Sequence, residues 1–425
     1  MRILHVAHCL PPNGAGGVQF YTIQLATAQA AAGAEVGVYA RGVRADVPDG
    51  TEEEVTRFPG LRVVESHLGP GHQHTLQRVR AARTAAFRRF LNDFRPDVVH
   101  FHHLLYHSLD FPQAARDFGA ATLLTVHDLW FDCPVVQRVD FRGALCTNAP
   151  GRICLACVWN GRRANVVPRE TIRRLAESNA SSLLDIVPTV DDLEDWISRS
   201  QTCLDAVDTV ITPSNFVRDN LAEHGLTHPR FVLLNNGLRP PGARLEADTP
   251  DGVLRFGFLG THPLKGTQVA IDAFHKLTDV PGVRLLCYGG GLDAPIGDLP
   301  PNIVNQGRFD PADIEAVYAS FDVLIVPSTW WENAPMVILE AFGRGKPVIA
   351  SDLGGMAESV RDGVDGLLFP VGDSDALAAC VCRLADEPGL LDRLRAGIRP
   401  PVPLETHVAD LGRLYDSARS RREPS

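Results

Sequence analysis

The feature that most constrains this chain is a strand and helix alternation that runs along its length, breaks once and starts again. RILHVA (2–7), EVGVYA (35–40), DVVHFH (97–102), TLLTVH (122–127), TVITPS (209–214) and FVLL (231–234) are short apolar runs, with helical periodicity between most of them. Strands that alternate with helices fold as a parallel sheet covered by those helices. After the turn-rich NNGLRPPGARLEADTPDG the pattern restarts with LRFGFLG (254–260), VRLLCYGG (283–290), DVLIVPS (322–328), PVIAS (347–351) and GLLF (366–369). A chain of 425 residues exceeds one ordinary core, so the break predicts two doubly wound, Rossmann-like α/β domains, 1–240 and 241–398. The tail 399–425 is helical after RPPVP and is left free to pack back on the first domain. Ligands of such sheets bind beyond the carboxyl ends of the strands, so two facing sheets would enclose a cleft.

Bulk charge narrows the partners. A formal net charge of -10 argues against a nucleic-acid partner. MRILHVAHCLPP begins directly with a strand pattern, and no run of 18 apolar residues occurs, so the expectation is a cytoplasmic protein with its nine cysteines reduced.

Within the second domain, ENAPMVILE (332–340) places two glutamates eight positions apart. The apolar run after Pro335 reads as a helix ending near Gly343 to Gly345. Pro335 suits its first turn because the missing N–H has no intrahelical use there. Glu332 then lies just before the helix and Glu340 within it. Three glycine turns stand at helix starts: PPNGAGGVQF with Gly16 and Gly17, GFLGTHPLKG with Lys265, and SDLGGMAESV. A helix start presents N–H groups to an anion, and Lys265 adds a point charge. The first turn is not the dinucleotide fingerprint, since its glycine spacing is wrong and the second strand ends in Ala40–Arg41 rather than an acid. Gly16–Gly17 therefore reads equally as a tight turn or a binding loop.

PSTWWENAPMVILEAFGRGKPVIASDLGGMAESVRDGVDGLLFPVGD resembles the donor-binding half of the retaining glycosyltransferase family 4. The resemblance extends to HCLPPNGAGGVQFYTIQLATAQAAAGAEVGVYA, PDVVHFHHL, LLTVHDLWFDCP, DTVITPSNFVRDNL and LLNNGL. It implies the GT-B fold, in which two such domains face across a cleft. The implied activity is transfer of a sugar from a nucleotide diphosphate sugar to an acceptor that is a glycan, a lipid-linked saccharide or a natural product. Two other readings of the same resemblance are a nucleotide-sugar 2-epimerase-like isomerase and a silent nucleotide-sugar-binding protein.

Carried onto matching residues, the resemblance gives Glu340 the ribose hydroxyls and Glu332 the hydroxyls of the donor sugar. Lys265 and the helix start formed by Asn333, Ala334, Pro335, Met336 and Val337 would face the pyrophosphate. His127 matches the active-site histidine near the reacting carbon, with His100, His102 and His103 as structural or rim residues. Many members carry an arginine where this chain has Thr261, so either Thr261 and His262 supply neutral donors or Arg308 compensates. The family's chemistry needs no divalent cation, so no cofactor is implied for catalysis.

Two motifs lie outside this scheme. Cys133, Cys146, Cys154 and Cys157 are separated by 12, 7 and 2 residues in one loop, 133–157. That spacing suits a structural zinc, an iron–sulfur cluster or four packed thiols. TLQRVRAARTAAFRRFLNDF gathers Leu76, Val79, Phe87, Phe90, Leu91 and Phe94 near one face with Arg78, Arg80, Arg83, Arg88 and Arg89 around it. It reads as a core-facing helix, or as a peripheral contact with the inner face of a membrane, which some relatives use.

Overall fold

β-branched and aromatic residues pack well on a pleated sheet, and the apolar runs of the first part become strands for that reason. They are β1 (Arg2–Ala7), β2 (Glu35–Gly42), β3 (Glu52–Val55), β4 (Arg62–His67), β5 (Val98–Phe101), β6 (Ala121–Thr125), β7 (Thr209–Thr212) and β8 (Phe231–Leu233). The structure is a computed structural model and describes residues 1–14, 16–44, 46–69, 80–163, 189–239, 252–290 and 299–422. The strands form one sheet in the order β3-β4-β2-β1-β5-β6-β7-β8. All neighbours are parallel except β3 and β4. Neither of those two is legible in the sequence, because EEEV at the exposed edge and RVVESH beside it lack a continuous apolar run.

Residues Met1–Asn236 and Leu404–Ser425 form one compact unit, and Gly237–Pro403 the other. The sequence placed these limits at 240 and 398, and most of the turn-rich break falls outside the described residues. The helix Leu404–Ser420 is a layer of the first core. It buries Leu411, Tyr415 and Ala418 against Ile3, Val98, Leu123 and Ile211. Arg422 then ties the end to Asp208, at 2.8 and 3.0 Å.

The helix Ala81–Phe94 turns Phe87, Phe90, Leu91 and Phe94 into that unit. Its supposed basic face is broken. Arg83 is fully buried and donates to the Ser66 and His67 carbonyls, while Arg88 pairs with Asp117 at 3.1 Å. Leu76, Arg78 and Val79 lie outside the described residues. Among the described residues no helix is long and apolar enough to cross a membrane.

The second unit is built on β9 (Leu254–Leu259), β10 (Val283–Tyr288), β11 (Ile303–Gly307), β12 (Val323–Val326), β13 (Val348–Ser351) and β14 (Gly366–Phe369). Their order is β11-β10-β9-β12-β13-β14, all parallel. Phe256, Phe258, Phe274, Leu285, Ile325 and Leu377 fill the core. Only β11 was illegible, since IVNQG is short and half polar.

In each sheet the chain leaves a central strand to one side and then returns to its other side. The reversal falls between β1 and β5 in the first sheet and between β9 and β12 in the second. Loops diverge at such a point and leave a crevice at the carboxyl edge, which is where open α/β sheets bind ligands.

Candidate functional site

At the reversal of the second sheet, the loop after β9 carries Thr261 and Lys265 and the loop after β12 carries Ser328, Trp330 and Glu332. Glu332 is buried, and its Oε1 accepts from Lys265 Nζ at 2.5 Å, Ser328 Oγ at 2.8 Å and Trp330 Nε1 at 3.0 Å. The sequence set Lys265 against a phosphate, whereas in the structure it holds the Glu332 carboxylate. Gly266 makes the approach feasible. Its φ is +80°, and a Cβ there would stand 1.8 Å from the Pro327 carbonyl oxygen.

The helix Met336–Gly343 follows at once. Pro335 occupies its cap position rather than its first turn, and no side chain caps it. Glu340 sits one turn in and accepts from Tyr318 Oη at 2.9 Å, and burial pushes its carboxyl pKa up. The third glycine turn packs on the same loop. Gly355 N–H donates to the Glu332 carbonyl at 2.9 Å, and a Cβ on Gly355 would meet the Asn333 carbonyl oxygen at 1.3 Å. Asn333, Ala334, Met336 and Val337 thus lie between the two glutamates, as their order in the chain requires.

Thr261 is buried at the end of β9, and a Cβ on Gly289 would stand 2.7 Å from its Oγ1. Arg308, just beyond β11, lays its guanidinium against Gly290, where a Cβ would come 2.5 Å from Nε. Among the described residues no carboxylate pairs with Arg308. A threonine, a lysine and an arginine therefore share the carboxyl edge of one sheet. These side chains can present hydroxyl and cationic donors, and the two carboxylates can accept from hydroxyls.

In the first unit the helix Gly17–Ala31 begins at the other reversal, with Gly16 at its cap position. One donor is already used, since Gly16 N–H gives to Gln19 Oε1 at 3.0 Å. His127, immediately past β6, is half-buried, and its Nε2 lies 3.1 Å from His102 Nδ1. Burial pushes the His127 imidazole down to about 3, and His100 and His102 well below the usual range. A buried ring without an acidic partner is neutral at pH 7. His103 instead bonds Asp128 at 2.9 Å. Sequence reasoning separated His127 from His100 and His102, whereas the structure couples them. It also missed Gln29, Tyr318, Ser328 and Trp330. Gln29 left a signal, a polar residue among the apolar positions of TIQLATAQA.

The loop after His127 brings Cys133, Cys146, Cys154 and Cys157 to the wall of one cavity. Gly151 N–H donates to Cys154 Sγ at 3.4 Å. Asp132, also on the wall, leaves Oδ1 buried without a partner, while Oδ2 accepts from Arg138 at 2.6 Å. Burial raises the thiols of Cys133 and Cys154, and Cys157 to about 12. Among the described residues no three of the sulfurs lie within 4.8 Å of one another.

Comparison with known proteins bears on both units. Glycogen synthase of Mycobacterium tuberculosis is 26% identical over 426 residues, covering 92% of this chain and 88% of that protein. Sucrose-phosphate synthase from Thermosynechococcus elongatus superposes with a TM-score of 0.68 at 19% identity, over 99% of each chain. Anabaena HepE in complex with UDP-glucose gives 0.61 at 16% identity, over 98% of this chain and 100% of that one. These likenesses establish the two-domain GT-B fold class. Residues 15–179 match the description Glycosyltransferase Family 4 and residues 252–387 match Glycosyl transferases group 1, one match in each unit. With more than half of its length accounted for in this way, the chain belongs to the group 1, family 4 glycosyltransferases.

Proposed function

We propose that the chain transfers a sugar from a nucleoside diphosphate sugar to an acceptor hydroxyl, with retention at the anomeric carbon. The observation that carries this reading is the carboxyl edge of the second sheet. There the acceptors Glu332 and Glu340 flank a helix start whose cap residue is Pro335, and Lys265, Thr261 and Arg308 supply donors beside it. Glu340 takes the ribose hydroxyls, Glu332 takes hydroxyls of the sugar, and the helix start with Lys265 and Arg308 takes the pyrophosphate. Sugar hydroxyls that reach Glu332 weaken its hold on Lys265 and release that cation toward phosphate. Gly16 and Gly17 are assigned a donor-binding role as well, through the helix-start N–H groups of the first unit other than that of Gly16, which Gln19 holds. HepE, of the same fold, was crystallised with UDP-glucose, which supports a nucleotide sugar here.

His127 is assigned to a hydroxyl of the sugar in transit, where a neutral ring does not repel developing positive charge. The acceptor oxygen bonds to the anomeric carbon on the face from which the diphosphate departs, and the acceptor's proton passes to the departing phosphate oxygen. No protein nucleophile is needed, unlike the two-carboxylate route of retaining glycosidases.

The four cysteines are assigned a structural zinc. What supports this is their shared cavity and the orphaned Asp132 Oδ1 beside them. Cys133, Cys146, Cys154 and Cys157 would hold the ion as thiolates, and it would tie the loop together. The transfer reading is tested by incubating the purified chain with a panel of nucleotide sugars, with and without glycan, lipid-linked and natural-product acceptors. Product mass and anomeric configuration by NMR are the readouts. An inverted product, or donor consumed without acceptor and isomerised at C2, would refute it.

A further inference from the structure

Behind His127 the first unit buries a row of histidines that transfer chemistry uses only at its outer end. The ring nitrogens of His5, His100 and His102 lie within 4.8 Å of one another, close enough to suggest a metal. Yet each nitrogen is already engaged. His5 bonds His102 and Gln29, His102 bonds His5 and His127, and His100 bonds Tyr415 and Thr125. A cation would need a lone pair from each ring and would break these bonds, so hydrogen bonding accounts for the cluster.

The bonds run in one direction, set by one amide. An amide oxygen only accepts, so His5 Nε2 carries a proton and donates to Gln29 Oε1 at 2.7 Å. Burial holds His5 neutral, so its Nδ1 is a lone pair that receives His102 Nε2–H at 2.8 Å. His102 is neutral in turn, and its Nδ1 receives His127 Nε2–H at 3.1 Å. On the other side, Gln29 Nε2 donates to Tyr415 Oη at 3.1 Å. That hydroxyl donates to His100 Nδ1 at 2.8 Å, and His100 Nε2–H reaches Thr125 Oγ1 at 2.8 Å. Each ring nitrogen of His5, His100 and His102 is thereby matched, donor to acceptor. The row ends on His127 Nδ1, a lone pair with no partner among the described residues, on a ring that is only half-buried.

We infer that Gln29, His5 and His102 are positioning residues that fix His127 in its Nε2–H tautomer, so that it offers Nδ1 as an acceptor to a hydroxyl group. The use of that lone pair rests on the assignment of His127 to a hydroxyl of the transferred sugar. It makes His127 selective, since an ether or carbonyl oxygen in that place has no proton to give. The C-terminal helix takes part through Tyr415, whose hydroxyl accepts from Gln29 Nε2 and passes its own proton on toward His100, while the direction of the row is set by the Gln29 oxygen that faces His5. The opposite orientation would reverse every donor in the row and put the proton on His127 Nδ1.

The test reads the tautomer directly, without substrate. The full chain with ¹⁵N-labelled histidine is examined at pH 7 by long-range ¹H–¹⁵N correlation, with His127→Gln identifying the His127 signals. The expected result is a protonated Nε2 and a lone-pair shift at Nδ1, and a protonated Nδ1 would overturn the inference. Gln29→Glu, whose carboxylate also accepts from His5, should keep the His127 tautomer. Gln29→Leu should give a mixture, with kcat falling in proportion to the Nδ1–H fraction and donor affinity unchanged. A Leu variant with a single Nε2–H tautomer would remove Gln29 from the mechanism. Should the wild-type tautomer be as expected but His127→Ala transfer normally, the proposed role of His127 fails while the relay stands.

Discussion

Lys265 Nζ lies 2.5 Å from Glu332 Oε1 and joins the loops after β9 and β12, the two strands between which the second sheet reverses direction. The lysine is about a third exposed, and the carboxylate is buried among three donors. Such a pair is a poor source of stability and a good means of setting side-chain positions.

Glu332→Gln follows from that geometry. The amide keeps an oxygen for Ser328 and Trp330, and Lys265 turns to solvent, so unfolding free energy should change by less than about 1 kcal/mol. Turnover should drop sharply, because the sugar loses the charge that orients it. Thermal melts and initial rates on one preparation check both halves, and undiminished kcat would remove Glu332 from the site.

Glu340→Ala is expected to weaken donor binding with little effect on the acceptor. Charged hydrogen bonds contribute about 1.5–3 kcal/mol each, so affinity should fall roughly 10- to 150-fold. Titration calorimetry with the nucleoside diphosphate alone isolates the ribose contribution. Unchanged affinity would assign Glu340 to its Tyr318 contact only.

His127→Ala should lower transfer by at least about a hundredfold, the scale of one lost preorganised contact in the transition state, and donor affinity much less. His102→Ala should cost less than His127→Ala, because it acts through its neighbour. The reverse order of kcat values would mean that the first unit has been assigned wrongly.

Stability should fall steeply in mild acid. Burial pushes His5 and His407 down to about 4 and His127 to about 3, and His8, His100, His102 and His107 well below the usual range. Their unfolded pKa is 6.5, so between about pH 6.5 and 4 the unfolded chain binds protons that the folded chain refuses. Stability from these rings is therefore complete above pH 6.5 and is lost as pH falls. Glu340, Glu52 and Asp322, whose carboxyls burial pushes up, oppose this. Urea midpoints at pH 7 and pH 5.5 should differ accordingly, and equal values would mean that the rings are charged or solvated.

For the cysteine loop, elemental analysis of chain purified without chelator should find about one zinc. Changing Cys154 and Cys157 together to serine should remove the metal and acceptor activity but leave donor binding intact, since those residues are in the first unit. Zinc well below one per chain, with normal activity of the double variant, would leave four packed thiols.

What the sequence determined alone was set by local rules. Parallel strands buried on both faces must be apolar throughout, so β1, β2, β5, β6, β7 and β9 were readable as runs, and the break between rounds marked two units. The helix after Pro335 was readable too, because proline, apolar periodicity and Gly345 punctuate it. Edge strands β3 and β11 were not, since an exposed edge needs only part of its face apolar.

Tertiary structure alone decided the partners. Sequence neighbours place Glu332 and Glu340 on one helix start, but nothing local puts Lys265, 67 positions away, on Glu332, or Tyr415, 386 positions away, on Gln29. Those pairings arise where sheet order returns distant loops to one edge and where the last helix closes the first core. Hydrogen bonds between side chains act over about 3 Å, so their partners are fixed only after packing has placed the backbones. Local pattern thus set which elements form and which family the chain belongs to, and packing set which side chains meet, the His102 and His127 rings among them.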